Sequence, residues 1–173
     1  HVADARQLID FARRQAQVER LRYGEPMGVE TLTKTVTDYI QQYTQIGGAR
    51  PFGVALVVGG IENGEPRLFE TDPSGTPYEW KALAIGENRA DIRSYLEDRY
   101  TDELTLDEGI GLALGALSDA TDELLEPDGL GLATITVDDE RYQQYAVAEL
   151  EGILDEHDLL AEDDEDDEDD EDE

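Results

Sequence analysis

The chain has 173 residues, of which 44 are aspartate or glutamate and 13 are lysine or arginine, so its formal net charge is −31. A surface this negative repels nucleic acid and anionic membranes, which argues against both as partners. Cysteine is absent, which excludes disulfides and thiolate metal sites, and the longest apolar run is too short to span a membrane. The length fits one domain, and we expect a cytoplasmic protein.

The acidic excess has two parts. Residues 162–173 are an unbroken run of 12 carboxylates, for which we predict disorder because the run has no apolar group to bury. The preceding 161 residues still carry 32 acidic against 13 basic side chains, a net charge of −19. Such self-repulsion is tolerable where salt screens it, since the Debye length falls to about 3 Å in 1 M salt. The composition therefore indicates a high-salt cytoplasm.

Two amphipathic helices are predicted at the start of the chain. The first covers Val2–Tyr23, and residues 24–26 end it because Pro26 cannot continue a helix. Its apolar residues lie close to one stripe: Ala5, Leu8, Ala12, Ala16 and Leu21. The second covers residues 29–43 and stops before Gly47-Gly48. Its apolar residues are spaced three and four apart: Val29, Leu32, Val36, Tyr39 or Ile40, and Tyr43. Each stripe must be covered by another element or by another subunit.

Three strands with two turns follow, and they predict an antiparallel meander. The apolar run at 54–60 is typical of a strand buried on both faces. Asn63-Gly64 favours a tight hairpin into a second strand at 67–71. Residues 72–75 then turn the chain into a third strand at 80–86.

The second half of the chain predicts helices at 88–100, 106–125 and 146–160, and a strand at 132–137. The helix at 106 begins with a capping box, because Thr105 can accept the amide hydrogen bond of Glu108 while the Glu108 side chain reaches back. The order is two helices, three strands, two helices, a strand and a helix. It indicates a layered α+β fold rather than alternating βαβ units.

The sequence offers few candidates for chemistry. His157 lies among Asp155, Glu156 and Asp158, but no second histidine or cysteine supports a metal site, so we interpret this group as an exposed helix face. The glycines at 59, 60 and 64 lack the Gly-Lys-Ser/Thr of a phosphate loop. No Gly-x-Ser-x-Gly elbow occurs. We therefore assign no catalytic, cofactor-binding or metal-binding residue and expect no cofactor.

Five motifs stand in a fixed order along the chain: Arg50-Pro51-Phe52-Gly53-Val54, Leu68-Phe69-Glu70-Thr71-Asp72-Pro73-Ser74-Gly75, Ala84-Ile85-Gly86, Leu96-Glu97 and Leu106-Asp107-Glu108. Together they resemble the proteasome core-particle alpha subunit of archaea, most of all the haloarchaeal kind. The resemblance covers most of residues 2–160, and the ordered set is far more specific than any one motif. It implies a partial alpha-type domain at 1–161, followed by an acidic tail at 162–173.

The resemblance implies a four-layer αββα sandwich of the N-terminal-nucleophile hydrolase type. In that family several strands and one helix precede the point that corresponds to His1. The resemblance therefore implies that the chain is an N-terminally truncated fragment. We then expect each sheet to lack strands and to expose unpaired edges.

The resemblance also implies a function. Alpha subunits form an outer heptameric ring, of one or several kinds of subunit, which caps the catalytic beta rings, gates substrate entry and docks an unfolding ATPase. The two helices at the start of the chain would supply ring contacts or only core packing within one subunit, and both interpretations stay open. The gate segment and the ATPase-docking lysine lie upstream of this chain in the family, so no residue here is assigned to them.

The chain departs from the catalytic members of that superfamily, whose N-terminal threonine uses its own amine as base. Catalytic beta subunits carry Ser-Gly-Ser after the glycine that corresponds to Gly86, where this chain has Glu87-Asn88-Arg89. They carry an aspartate followed by a Ser-Gly pair before the last strand, where this chain has Glu123 and then Glu126-Pro127. These departures favour an inert subunit.

Two other functions stay open on the sequence alone. One is a catalytic beta-type threonine protease subunit or a stand-alone hydrolase of the same fold, which a Gly-Thr processing junction upstream would identify. The other is an acidic interaction protein that acts through residues 162–173, which deletion of that segment would inactivate.

Overall fold

The computed structural model describes residues 2–46 and 50–161. The chain divides into two compact units, His1–Glu87 with Thr134–Gln143, and Asn88–Ala133 with Gln144–Glu173. Helices and strands occur in separate runs, so the α+β class predicted from the element order is confirmed.

The first unit opens with two packed helices, α1 (Val2–Tyr23) and α2 (Val29–Gln45). Leu8 of α1 is fully buried in one apolar cluster with Val36 and Ile40 of α2, and Phe52 belongs to the same cluster. Each such side chain contributes roughly 1.5–3 kcal/mol when it leaves water. Leu8 and Ala12 of the stripe predicted for α1 therefore pack against the α2 stripe within one chain. Leu21, the last residue of that α1 stripe, was expected to be covered, but it is 87% exposed.

A three-stranded antiparallel sheet follows, with strands β1 (Leu56–Glu62), β2 (Glu65–Thr71) and β3 (Pro77–Trp80) in that order. The predicted meander is confirmed. Asn63 and Gly64 have φ angles of 54° and 77° and connect β1 to β2, as a tight hairpin requires. Helix α2 packs on this sheet and contacts all three strands.

Two details of the predicted meander are wrong. The third strand was expected at 80–86, but β3 ends at Trp80 and the chain leaves the sheet at Lys81. Pro77 is tolerated in β3 because an edge strand needs no donor on its outer side. The first strand begins at Leu56, and its exposure alternates at first instead of being low on both faces. The reason is that α2 covers only one face of the sheet.

The second unit contains the helices α3 (Arg89–Arg99) and α4 (Leu106–Thr121), which pack together. The predicted capping box at the start of α4 is confirmed. The amide of Glu108 donates to Thr105 Oγ1 over 3.3 Å, and the amide of Thr105 donates to Glu108 Oε2 over 2.8 Å. These two bonds satisfy amides that a helix start otherwise leaves unpaired.

Helix α4 ends at Thr121, four residues before the predicted end. Asp122 adopts φ 56°, a left-handed conformation that cannot continue the helix. Leu125 instead forms an isolated parallel bridge with Leu160, in which its amide donates to the Leu159 carbonyl over 2.8 Å. Its side chain joins the second core, with Leu114 and Leu154.

The last elements are shorter than predicted. The strand β4 (Ala133–Ile135) replaces the expected 132–137, and helix α5 (Val147–Glu156) replaces 146–160. The strand β5 (Tyr142–Gln144), which pairs with β4 in a two-stranded sheet, was not predicted. Three-residue strands carry too little alternation for a sequence pattern to show them.

The second helix ends at Gln45, before Gly47-Gly48, as predicted. The predicted disorder of residues 162–173 lies outside the described residues. Among the helices that the structure describes, none is long and apolar enough to cross a membrane.

Candidate functional site

The segment at 50–53, the first of the sequence motifs, is fixed to α1 by one carboxylate. Asp4 is buried near the start of α1 and accepts a hydrogen bond from the Gly53 amide over 3.1 Å and one from Arg50 Nη2 over 2.6 Å. The Gly53 amide, and after it the Arg50 guanidinium, lower the pKa of Asp4 below its ordinary value. Asp4 therefore holds the segment as a charged group.

Aromatic rings surround the same segment. Phe11 of α1 stacks on Tyr39 of α2 with ring centroids 4.1 Å apart, and Tyr43 meets Phe52 edge to face at 4.8 Å. The hydroxyls of Tyr39 and Tyr43 are 3.1 Å apart, and Gln7 Nε2 donates to Tyr39 over 3.1 Å. Such ring pairs prefer these offset and perpendicular geometries. The segment is thereby fixed in position by α1 and α2.

Arg67 on β2 gathers carboxylates from three elements. Its guanidinium contacts Glu30 of α2 at 3.2 Å, Glu62 of β1 at 3.3 Å and Glu79 of β3. The hydrogen bond to Glu79 raises the pKa of Arg67 most, and Arg67 in return lowers the pKa of Glu79. Glu62 also accepts from the Glu30 amide over 3.4 Å. Glu62 thus stands near the start of α2, where a negative charge is favoured.

The second motif ends in a turn organised by Asp72. Asp72 Oδ1 accepts from the Ser74 amide at 2.9 Å, from Ser74 Oγ at 2.6 Å and from the Thr76 amide at 3.0 Å. These bonds, led by the one from the Ser74 side chain, lower the pKa of Asp72. Gly75 has φ +82° and approaches α2 so closely that a Cβ would lie 2.8 Å from the Thr37 carbonyl. Only glycine fits this position without strain.

His157 was interpreted as part of an exposed helix face, and that interpretation is wrong. It follows the last residue of α5, its side chain is 18% exposed, and Nε2 lies 3.4 Å from Asp107 Oδ1 on α4. The ring packs on Gly111, where a Cβ would come within 2.7 Å of it. Among the described residues, no group of three or more His, Cys, Asp and Glu side chains could hold a metal ion.

The residues that depart from the catalytic pattern lie at helix ends. Asn88 has φ 54° and precedes α3, and its Nδ2 donates to the Ala120 carbonyl over 3.1 Å. Glu123 follows α4, and its carbonyl accepts from Ser118 Oγ over 2.6 Å. Glu126 precedes a 3₁₀ turn at Pro127–Gly129. Of these three residues, Asn88 takes part through its side chain, Glu123 accepts through its main-chain carbonyl, and the Glu126 side chain forms no capping bond.

The anchored segment at 50–53, the turn at 72–75 and the helix start at 105–108 are the motifs on which the resemblance depends, and the structure gives each a defined conformation. The sequence profile of proteasome subunits matches residues 1–135, more than half of the chain. The chain belongs to the proteasome subunit family.

This proteasome chain is similar to alpha subunits of haloarchaea. It is 64% identical over 166 residues to "Proteasome subunit alpha 1" of Haloferax volcanii, a stretch that covers 95% of this chain and 66% of the relative. It is 67% identical over 160 residues to "Proteasome subunit alpha 1" of Haloarcula marismortui, covering 92% and 62%. It is 66% identical over 166 residues to "Proteasome subunit alpha" of Natronomonas pharaonis, covering 95% and 65%. The chain thus spans just under two-thirds of the length of these curated relatives.

Sequence reasoning about this proteasome chain missed Asp4 and Arg67. Asp4 lies on the apolar side of α1, where a single carboxylate near a helix start is ordinarily read as a cap. Arg67 was noted only as the start of a strand. Asp4 and its partner residue 53 are 49 positions apart in the sequence, and Arg67 and its partner residue 30 are 37 positions apart. A local sequence pattern does not predict contacts between residues so far apart.

Proposed function

We propose that this chain is part of a non-catalytic alpha subunit of an archaeal proteasome core particle. The observation that carries the proposal is the identity of 64–67%, over 92–95% of the chain, to three haloarchaeal proteins that are each named as alpha subunits. In that role the subunit joins other alpha subunits in an outer heptameric ring in the cytoplasm. The ring borders the beta subunits, gates substrate entry and docks the regulatory ATPase.

The residues at positions 87–89 support a non-catalytic subunit. Catalytic beta subunits carry Ser-Gly-Ser after the glycine that corresponds to Gly86, where this chain has Glu87-Asn88-Arg89. Here the side chain of Asn88 is engaged with the Ala120 carbonyl, and Arg89 is the first residue of α3. The chain therefore has Glu87 and Arg89 where the catalytic pattern has its two serines.

The face of the three-stranded sheet that points away from α2 supports a four-layer αββα sandwich. Register places Val57 and Ile61 of β1, Leu68 of β2 and Tyr78 and Trp80 of β3 on the face away from α2, together with one charged residue, Glu70, between Val57 and Tyr78. Val57 and Tyr78 are 45% and 47% exposed, and the other three apolar residues are half-buried. An apolar sheet face of this kind requires a second layer. In the sandwich, a second sheet supplies it.

The test is purification of the full-length protein, tagged at its chromosomal locus, in molar salt. We expect sevenfold rings in electron micrographs and co-purification of beta subunits. The purified protein without beta subunits should hydrolyse no fluorogenic peptide, and the complex with beta subunits should. Steady peptide turnover by the isolated protein, after removal of contaminating protease, would overturn the non-catalytic assignment. Recovery of the tagged protein only as a monomer would overturn the ring.

A further inference from the structure

The tip of the β1–β2 hairpin carries an asparagine followed by a glycine, Asn63-Gly64. Both residues have positive φ angles, 54° and 77°, and both are exposed. The Asn63 side chain forms no hydrogen bond with any other residue that the structure describes. A Cβ built on Gly64 would meet no described atom within 4 Å beyond its chain neighbours, so the space around this residue is open. The side-chain carbonyl of Asn63 is therefore accessible to water and to the adjacent main chain.

The sequence contains one other asparagine, Asn88, which provides a comparison within the same molecule. Asn88 has the same φ angle as Asn63, 54°. Its side chain, however, is bonded, because Nδ2 donates to the Ala120 carbonyl over 3.1 Å. The residue after it is Arg89, the first residue of α3. The two asparagines thus share a backbone φ angle, and they differ in the partner of the side chain and in the residue that follows.

We propose that Asn63 is a site of spontaneous deamidation in the folded chain. The main-chain nitrogen of Gly64 attacks Cγ of Asn63 and forms a five-membered succinimide ring. The side-chain amide group leaves as ammonia, which takes up, by way of solvent, the proton that the attacking nitrogen gives up. Water then opens the ring at one of its two C–N bonds. The net change is the gain of one water molecule and the loss of one ammonia molecule.

A glycine after the asparagine favours the closure of this ring. Gly64 has no Cβ beside the attacking nitrogen, and its φ and ψ angles change at little cost, so the nitrogen can approach Cγ of Asn63. The hairpin limits this movement, because the flanking residues Glu62 and Glu65 are paired across β1 and β2. We therefore expect the reaction at Asn63 to be slower in the folded chain than in the unfolded chain, but faster than the reaction at Asn88.

The two products affect the hairpin differently. Breaking the bond between Cγ and the nitrogen gives aspartate with an unchanged main chain, and Asp-Gly suits the same tight turn. Breaking the bond between the main-chain carbonyl carbon and the nitrogen gives isoaspartate, which adds one methylene group to the main chain of the turn. The pairing of Glu62 with Glu65 then no longer fits the turn. Either product also adds a carboxylate next to these two glutamates.

The experiment follows the reaction in the folded full-length protein, incubated in molar KCl in water that carries a heavy isotope of oxygen. The new carboxyl group takes its oxygen from this water, so mass spectrometry distinguishes it from deamidation during later work-up in ordinary water. Cleavage after lysine and arginine places the two asparagines in different peptides, because Arg67 and Lys81 lie between them. We expect labelled product at Asn63 to form about tenfold faster than at Asn88, or faster still.

Two variants separate the causes. Gly64→Ala adds a Cβ beside the attacking nitrogen in otherwise open space, and it should slow the reaction at Asn63 several-fold. Arg89→Gly gives Asn88 a following glycine but keeps the bond to the Ala120 carbonyl, so the reaction there should stay slower than at Asn63. Thermal unfolding verifies that both variants fold. If Gly64→Ala does not fold, the ratio of the two sites in the wild type and in Arg89→Gly still tests the proposal.

Three results would overturn the proposal. The first is the absence of labelled product at Asn63 in the folded protein after an incubation that converts the urea-unfolded chain completely. The second is an equal rate at Asn63 and Asn88 in the folded wild type. The third is a rate at Asn88 in folded Arg89→Gly that equals the rate at Asn63, because the free side chain would then have no influence. None of these results affects the proposed function, since the reaction is measured within one chain and does not depend on ring assembly.

Discussion

At the scale of single residues, Asp4 and Gly75 fix the two motifs that matter most for the first unit. Asp4 receives the Gly53 amide and the Arg50 guanidinium, which connects α1 to a segment 46–49 positions away. Gly75 provides a left-handed turn and a close approach to α2, where Gln41 Nε2 donates to its carbonyl over 3.1 Å. Position 4 requires a side chain that accepts two hydrogen bonds, and position 75 requires a positive φ without a Cβ.

The Asp4→Asn substitution should lower the thermal unfolding temperature by several degrees. The neutral amide keeps the size of the side chain but loses the charge-assisted bond to Arg50, and it presents a donor group in a place that needs acceptors. The control is Asp10→Asn on the exposed side of α1, where little change is expected. Equal melting temperatures for the two variants, measured by circular dichroism in molar salt, would contradict this role.

The contribution of Asp4 should also depend on pH. Because the folded pKa of Asp4 is lowered, its stabilisation is fully present above the unfolded value of about 3.9 and is lost as the pH falls through the folded value. The difference in unfolding temperature between the wild type and Asp4→Asn should therefore be constant above about pH 5 and shrink at lower pH. A difference that grows on acidification would show that the sign is wrong.

The Gly75→Ala substitution should cost about 1–3 kcal/mol of unfolding free energy, because it combines a left-handed φ with a steric conflict. Two alanine variants separate these causes. Gly64→Ala meets the same φ penalty in open space, and Gly131→Ala meets neither. We expect the loss to be largest at 75, intermediate at 64 and near zero at 131, as measured by denaturant unfolding. A smaller loss at 75 than at 64 would mean that α2 moves away freely.

At the scale of elements, Arg67 connects α2 to the three-stranded sheet. One guanidinium faces Glu30, Glu62 and Glu79, which come from three different elements. Its position over the Phe69 ring, at 5.2 Å, adds a cation–π contact. Arg67 thus neutralises the repulsion among these three carboxylates. Elsewhere in this acidic chain, repulsion between carboxylates is reduced by salt ions in solution.

The Arg67→Met substitution should make folding more dependent on salt. The variant leaves three carboxylates close together without their cation, and their repulsion is relieved only by ions from solution. Unfolding temperatures across a KCl series should rise more steeply for Arg67→Met than for the wild type, with the largest deficit in dilute salt. Arg141→Met removes an equal charge that acts on one carboxylate, Asp139, and not on three, so it controls for the change in net charge. Parallel salt curves for the two variants would contradict this account.

At the scale of the whole molecule, charge sets the conditions for folding and assembly. The first 161 residues carry −19, and repulsions of this kind add across every contact between like subunits. Lys34 and Lys81 are the two lysines of the sequence, so arginine supplies most of the positive charge. The charges are spread over the folded units, and screening by salt acts on all of them together.

We expect the full-length protein to need molar salt both to fold and to assemble into rings. Residues 162–173 should sharpen this dependence without causing it, because the rest of the chain is itself strongly acidic. Sedimentation of the full-length protein and of a variant without 162–173, across a salt series, measures both effects. Rings that persist unchanged in dilute buffer would contradict the prediction. A salt requirement that disappears with the segment would place the effect in that segment alone.

The sequence by itself determined the features whose causes are local. The α2 stripe, the Asn63-Gly64 hairpin and the Thr105–Glu108 capping box follow from residues a few positions apart, and the structure confirms them. The α1 stripe is confirmed at Leu8 and is wrong at Leu21, which is exposed. The ordered motifs likewise identified the family, because each motif is a short local pattern.

The tertiary structure decided what depends on distant residues. The pairing with β2 ends β3 at Trp80, and Asp122 ends α4 so that Leu125 can meet Leu160. The packing of α4 against the end of α5 half-buries His157, which the sequence presented as exposed. The partners of Asp4 and Arg67 also appear only once the chain is folded. A contact between residues dozens of positions apart depends on how the helices and strands pack. Local propensity and periodicity therefore do not predict it.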